Sequence, residues 1–301
     1  MNEEKVKEIK EKSSQFLLSL LNVVGVGVGE KISLGETTDE LSIRVYVNQK
    51  MPETFFLKYP SEAIPPEIEG VPTDVVKIDD IVKYDNVDST SEMRQRFRPS
   101  PGGCSISHYA RNSRGTLGMW VKDKQSGEPV LVSCWHVIAN YGSCCVGDPI
   151  IQPGRLDGGK VPEDIIAYLE RWVDVRIFSS DLPSCKERMK LALKANAPVP
   201  WNYIDGAIAK PSSKDVVTND ILGLGKPSGI TELKRDMIIS KSGATTGVTS
   251  GKTFDTDLDI YVKYSGLGYA LFKHQILARN SSSWALFNPS KYVLAGLDIS
   301  I

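Results

Sequence analysis

Two short apolar segments each carry one polar side chain whose type suits proton transfer. His136 follows an apolar run in SCWHVIA (residues 133–139), at an element end where a side chain is both fixed and accessible. Asp205 opens a second apolar run in NYIDGAIAK (residues 202–210), and an ionised carboxylate entering a core needs a strong partner. That partner is either a backbone amide in a turn or an imidazole N–H, as in the triads of acyl transfer. His136 is accordingly either a structural or a catalytic histidine.

A third segment, KSGATTGVTSG (residues 241–251), combines small hydroxyl residues with glycine, which is typical of a tight corner between strands. In this order the three segments resemble bacterial trypsin-like serine peptidases, the family related to the plant leaf-width protein NAL1. The family motifs are HV(L/I)A, (N/D)xxDxAIA and K-S-G-x-T-T-G. Further segments that look like the family, in the right order, are VGVGVGEK (24–31), LSIRVYV (41–47), IPPEIEGVPTD (64–74), GTLG (115–118) and GDPIIQPG (147–154).

The resemblance covers nearly the whole chain. It implies a serine endopeptidase that cleaves protein or peptide substrates through an acyl-enzyme and needs no metal or organic cofactor. His136 is then the general base and Asp205 the carboxylate that orients it. Aligning Ala285-Leu286-Phe287 with the family strand makes Ser282 the nucleophile, and the backbone amides of Asn280 and Ser282 form the oxyanion hole.

The segment around Ser282 departs from the family motif Gly-Asp-Ser-Gly. Asn280 replaces the first glycine, and Asn is the best substitute there because it tolerates positive φ. Ser283 replaces the second glycine, and Trp284 replaces a small residue, so both add bulk beside the nucleophile. The alternative function is therefore a catalytically impaired pseudo-peptidase, in which the same cleft binds a peptide or protein by strand pairing.

The sequence offers residues for two other kinds of site, a zinc site and a phosphate-binding loop. Cys104, His108, Cys134 and His136 offer zinc ligands, although their spacing matches none of the usual paired-cysteine patterns. The valine–glycine alternation over residues 23–29 predicts a strand with close backbone approach. A phosphate-binding loop is the alternative there, but the order is Gly-x-Gly-x-Gly and no amphipathic helix follows.

The elements around these motifs predict a mainly β protein. Residues 1–82 begin with an amphipathic helix and continue with short strands, which indicates a small α+β domain. Residues 83–103 are polar and end in SPGG, a linker composition. Residues 104–301 contain short β-runs between turns and one helix with a capping box at Ser184, and the resemblance makes this region a chymotrypsin-like double β-barrel, shortened at its C-terminus.

Composition limits the partners and the location. The 301 residues carry a net charge of −1, which gives no electrostatic basis for binding nucleic acid or an anionic membrane. The apolar run near residues 16–21 is too short to span a bilayer and follows acidic residues, so we expect no export signal. Five cysteines, an odd number, predict reduced thiols and a cytoplasmic protein. The oligomeric state stays open.

Overall fold

A computed structural model of the chain describes residues 2–33, 36–78, 92–280, 284–287 and 292–295. Its helices are α1 (Glu3–Ser19), α2 (Glu53–Lys58), α3 (Trp135–Ile138) and α4 (Leu182–Lys194). Its strands are β1 (Val23–Ser33), β2 (Glu36–Val47), β3 (Glu67–Ile68), β4 (Val71–Lys77), β5 (Ser100–Gly102), β6 (Ser105–His108), β7 (Gly115–Thr116), β8 (Met119–Lys122), β9 (Pro129–Ser133), β10 (Pro149–Ile151), β11 (Ile165–Trp172), β12 (Ile177–Ser179), β13 (Trp201–Asn202), β14 (Ala207–Pro211), β15 (Val217–Ile221), β16 (Gly229–Glu232), β17 (Ile238–Gly243), β18 (Gly247–Tyr264), β19 (Gly268–Arg279), β20 (Trp284–Phe287) and β21 (Tyr292–Ala295). The predicted mainly β fold class is confirmed.

The chain forms two compact units, and neither is a single stretch of sequence. The first unit combines Met1–Lys83, Arg176–Tyr203 and Thr253–Pro289. The second unit combines Tyr84–Val175, Ile204–Lys252 and Ser290–Ile301. Residues 79–91, where the N-terminal domain was predicted to end, lie outside the described residues. The boundary predicted at 82 lies in this stretch, and the predicted domain bounds at 82 and 103 both stay predictions.

The first unit is a twisted sheet covered by helices. Its strands follow the order β12-β19-β18-β1-β2-β4-β3, with β13 and β20 also paired to β19. Apolar side chains of α1 and α4 pack with those of β1 and β2 into one core. Fully buried members of that core include Val6, Leu17, Val26, Val45, Cys185 and Met189. The amphipathic helix predicted at the start of the chain is α1, whose apolar side packs into this core, whereas Phe16 at its end is exposed.

The glycines of β1 serve close packing between the strand and its neighbours. β1 pairs antiparallel with β2 on one side and with β18 on the other. A Cβ atom at Gly27 would overlap the carboxylate of Asp255, and one at Gly29 would overlap the guanidinium of Arg44. Because the segment is a doubly paired strand and a carboxylate covers Gly27, the phosphate-loop alternative is wrong.

Helix α4 begins earlier than its sequence pattern predicts. The N-cap is Asp181, whose side chain accepts a hydrogen bond from the amide of Ser184. Ser184 is therefore inside the first turn, and the capping box predicted there is wrong. Since Pro183 stands near the start of the helix, its missing N–H costs no intrahelical bond.

A lysine is buried where α4 packs on the end of α1. The Nζ atom of Lys186 donates to the backbone oxygens of Leu18, at 2.8 Å, and of Val23, and it lies 4.4 Å from the ring centroid of Tyr261. Burial lowers the pKa of Lys186 to about 7. A neutral amine still has two N–H donors, which are enough for the two carbonyl oxygens.

The lowered pKa of Lys186 makes the stability of the folded protein depend on pH. Between pH 7 and the ordinary lysine value of 10.5, the unfolded chain holds one more proton than the folded chain. The free energy of unfolding therefore rises with pH, by up to about 1.4 kcal/mol per pH unit. Urea unfolding of the wild type and Lys186→Met at pH 7.5 and 9 measures it. We expect the Lys186→Met variant to lose this increase, and Lys194→Met, exposed on the same helix, to keep it. If the free energy of unfolding changed equally between pH 7.5 and 9 in all three proteins, the prediction would be contradicted.

The second unit is built on a seven-stranded sheet. Its order is β7-β6-β10-β11-β14-β9-β8, and every neighbouring pair is antiparallel. β5 and β15 form a separate parallel pair, which places residues 100–102 of the predicted linker inside this unit. β17 and the start of β18 form a hairpin that closes at Gly243 and Gly247, as the KSGATTG segment predicts. In the described part of the chain, no helix is long and apolar enough to cross a bilayer.

Candidate active site

His136 is held on a single helical turn that directly follows a buried strand. β9 ends at Ser133. The carbonyl oxygen of Cys134 then accepts hydrogen bonds from the backbone amides of Val137 and Ile138. Val137 and Ile138 are buried, so the turn is anchored on its inner side. The imidazole side chain keeps 13% of its surface exposed. The local fold therefore fixes the histidine and leaves it open to a reactant.

Asp205 reaches His136 because two strands pair in a defined register. β14 pairs antiparallel with β9, with Ala207 opposite Ser133 and Ile208 opposite Val132. Extending this register by two residues brings the segment before β14 alongside the turn of α3. The side chain of Asp205 is fully buried there. The sheet register thus converts two distant sequence motifs into one site.

The two side chains form a direct hydrogen bond. The distance between Nδ1 of His136 and Oδ2 of Asp205 is 2.7 Å, and the backbone amide of His136 lies 3.4 Å from Oδ1. An ionised carboxylate only accepts hydrogen bonds, so Nδ1 carries the proton and Nε2 of a neutral ring carries the basic lone pair. Nε2 can then take a proton from a hydroxyl and return it to a leaving group. The predicted contact is present, while the catalytic roles of both residues stay predictions.

An aromatic ring beside His136 was missed by sequence reasoning. The ring centroid of Tyr141 lies 6.0 Å from that of the imidazole, and the guanidinium of Arg111 lies over the Tyr141 ring, 4.1 Å from its centroid. Arg111 also donates to the carbonyl oxygen of His136 at 3.4 Å. Tyr141 has a φ of 55° and Asn140 a φ of 47°, which is an uncommon backbone region for non-glycine residues. The Asn-Tyr-Gly sequence after HVIA was the available signal for this turn.

The remaining predicted site residues belong to a different part of the chain. Asn280 follows the end of β19, in the first unit, and is half-buried. Ser282 lies outside the described residues. The nucleophile and the oxyanion hole predicted at Asn280 and Ser282 accordingly stay predictions.

The zinc set proposed from sequence is not assembled as predicted. Nε2 of His108 lies 3.1 Å from Oδ2 of Asp148, and its Nδ1 accepts the amide of Ala110. Cys104 is fully buried, and desolvation raises the pKa of its thiol far above the usual range. Because both ring nitrogens of His108 already have partners, that histidine is structural. The structure groups Cys134 and His136 with Asp205 instead.

Comparison with known proteins gives a distant structural likeness only. No protein-family model matches the sequence, and no curated protein matches it. The protease of Nocardiopsis is 15% identical, with a TM-score of 0.37 over 65% of this chain and 79% of that chain. A glutamic-acid-specific serine protease, described as using a histidine triad in substrate binding, is 15% identical, with a TM-score of 0.37 over 63% and 80%. Protease A of Thermobifida fusca is 13% identical, with a TM-score of 0.36 over 65% and 78%. At such values the likeness assigns no family, and the function has to be inferred from the site.

Proposed function

We propose that the protein is a serine endopeptidase-type hydrolase of the trypsin-like class, with a chymotrypsin-like two-barrel arrangement and a relationship to the NAL1 family. The observation that carries the proposal is the hydrogen bond of 2.7 Å between His136 and the buried Asp205. Asp205 orients the imidazole and balances the positive charge that forms on it during proton transfer. The substrate is a peptide bond in a protein or peptide, and the location is cytoplasmic, which the five free cysteines support.

The reaction proceeds by acyl transfer. Nε2 of His136 takes the hydroxyl proton of Ser282 while the serine oxygen bonds to the scissile carbonyl carbon. His136 then gives this proton to the leaving amine as the peptide bond breaks, which leaves an acyl-serine. Water attacks the acyl-serine by the same proton transfers and frees the serine. The amides of Asn280 and Ser282 are proposed to hold the oxyanion, and Asn280 replaces a glycine in that role.

Labelling with a fluorophosphonate tests the nucleophile directly. The reagent phosphonylates an activated serine, and mass spectrometry locates the adduct. We expect the adduct on Ser282, with Ser282→Ala abolishing it and Ser281→Ala and Ser283→Ala retaining it. In the proposed mechanism one serine both faces His136 and contributes its own amide to the oxyanion hole, and the alignment with the family strand assigns this place to Ser282. An adduct on Ser281 or Ser283 would contradict the assignment of Ser282.

The pseudo-peptidase alternative is favoured by the lost glycines around Ser282. Removing one oxyanion donor costs about 10²–10³ in rate, so a displaced amide at Asn280 predicts slow labelling. The variant Asn280→Gly, Ser281→Asp, Ser283→Gly restores the family motif. Strong labelling of this variant beside an unreactive wild type would establish the pseudo-peptidase. Failure of both folded proteins to label would remove support for Ser282 as nucleophile.

A further inference from the structure

The proposed catalytic pair has a cysteine beside it that the proposed mechanism does not use. Cys134, His136 and Asp205 each offer a ligand atom, and these atoms all lie within 4.8 Å of one another. Cys134 is 5% exposed and forms the N-cap position of α3, two residues before His136. A thiol, an imidazole and a carboxylate therefore converge at one point of the second unit.

This ligand set has the chemistry of a zinc site with one open position. Zn²⁺ binds cysteine sulfur, histidine nitrogen and aspartate oxygen, and three protein ligands with a fourth open position is a common arrangement. Charge also balances, because a thiolate and a carboxylate together neutralise a divalent ion beside a neutral imidazole. Since Cys134 and Asp205 are buried, such neutrality lowers the cost of placing an ion there.

We propose that Cys134, His136 and Asp205 bind a thiophilic divalent ion, Zn²⁺ in the cell, and that the bound ion inhibits the hydrolase. The binding site does not depend on the proposed function, whereas the inhibition does. The ion enters as the Cys134 thiol loses its proton to solvent and a metal–sulfur bond forms. A second bond forms to Nδ1 of His136, the ring nitrogen on the Asp205 side, and a third to the Asp205 carboxylate.

Inhibition follows from the tautomer that metal binding imposes. Nδ1 donates its lone pair to the metal, so the proton it carried passes through water to Nε2 and the ring stays neutral. Nε2 then has an N–H and no lone pair, and it cannot accept the serine proton. The Nδ1–H bond to Asp205 is replaced by metal–ligand bonds, which also removes the orientation that the carboxylate gave the ring.

The other cluster of possible ligands among the described residues differs in one respect. Asp257, Asp259 and His274 lie together in the first unit, but the ammonium of Lys10 is 2.8 Å from Oδ1 of Asp259 and 3.4 Å from Oδ1 of Asp257. This positive charge already occupies the place of a cation. We therefore assign the metal site to the cysteine-containing cluster only.

Cadmium titration tests the binding site independently of catalysis. Cd²⁺ bound to a thiolate gives an ultraviolet charge-transfer band, which disappears when Zn²⁺ displaces the Cd²⁺. The titrations use the full chain with Cys144→Ser and Cys145→Ser, which removes the two neighbouring thiols outside the core. We expect one Cd²⁺ per chain, loss of the band in Cys134→Ser and at least a tenfold weaker affinity in His136→Ala. Cys104→Ser, a buried cysteine of the same unit outside the cluster, is the matched control and should keep the band.

Three results would overturn the site: no band in the parent protein, an unchanged band in Cys134→Ser, or its loss in a folded Cys104→Ser. Circular dichroism confirms that each variant is folded. His136→Ala removes a partly exposed ring and keeps the proposal testable should Cys134→Ser fail to fold.

Fluorophosphonate labelling with and without Zn²⁺ tests the inhibition. We expect Zn²⁺ to slow labelling of the parent and of Cys104→Ser at least tenfold, and a chelator to restore it. Cadmium binding without any effect of Zn²⁺ on labelling would overturn the inhibition and leave the site. A protein that binds cadmium but never labels would show that the proposed hydrolase, and with it the inhibition, is wrong.

Discussion

Asp205→Asn is expected to slow fluorophosphonate labelling of Ser282 by a factor on the order of 10⁴. The change keeps size and hydrogen-bonding capacity at a fully buried position, but an amide can present its NH₂ group to Nδ1. Nδ1 would then act as acceptor, and the ring proton would move to Nε2. The imidazole would be in place but would have its lone pair on the wrong nitrogen. The second-order labelling rate constant measures this loss.

Asp174→Asn is the matched control for this substitution. The carboxylate of Asp174 accepts hydrogen bonds from the indole nitrogens of Trp135, at 3.2 Å, and of Trp172, at 2.9 Å. Trp135 is adjacent to His136, so the control changes the same helical turn without touching the imidazole. We expect labelling near the wild-type rate. A similar loss in both variants would indicate disturbed packing of α3, and would speak against tautomer control by Asp205.

The histidine–aspartate pair could be anticipated because its causes are local. Each motif joins an apolar strand to one polar residue at the strand's end, and antiparallel pairing of β9 with β14 brings those ends together. The glycine-rich strand β1 and the hairpin at Gly243 were predictable for the same reason, since backbone approach and tight turns need specific residue types.

The sequence does not indicate which segments of the chain form the first unit, because that depends on contacts between residues far apart in sequence. β1 and β2 lie in one sheet with strands from residues 253–279. On β18, Asp255, Asp257 and Asp259 alternate with other residues, a pattern that indicates a solvent-facing side. In the structure Asp255 and Asp259 are fully buried, and Asp255 accepts the hydroxyl of Tyr46. Buried partners contributed by other segments overrode the local pattern.

One of those partners gives the largest expected effect on stability. Lys10 of α1 and Asp259 are both fully buried, with 2.8 Å between Nζ and Oδ1. Burial alone would lower the pKa of Lys10, but the carboxylates of Asp259 and Asp257 hold it above its ordinary value. Oδ2 of Asp259 is buried and has no hydrogen-bond partner in the described structure. The ammonium of Lys10 therefore supplies much of the stabilisation of this buried negative charge.

Lys10→Met is therefore expected to lower the free energy of unfolding by about 3–5 kcal/mol, the usual cost of leaving one member of a buried ion pair alone. Urea unfolding measures it. Lys5→Met on the exposed side of α1 is the control and should leave the midpoint nearly unchanged, because its ion pair with Glu8 is exposed to solvent. The double variant Lys10→Met, Asp259→Asn removes the isolated charge and should regain about 1–3 kcal/mol of the loss. If the second substitution destabilises the chain further, the carboxylate is held by its other contacts, such as the amide of His274, and the ammonium does not determine its stability.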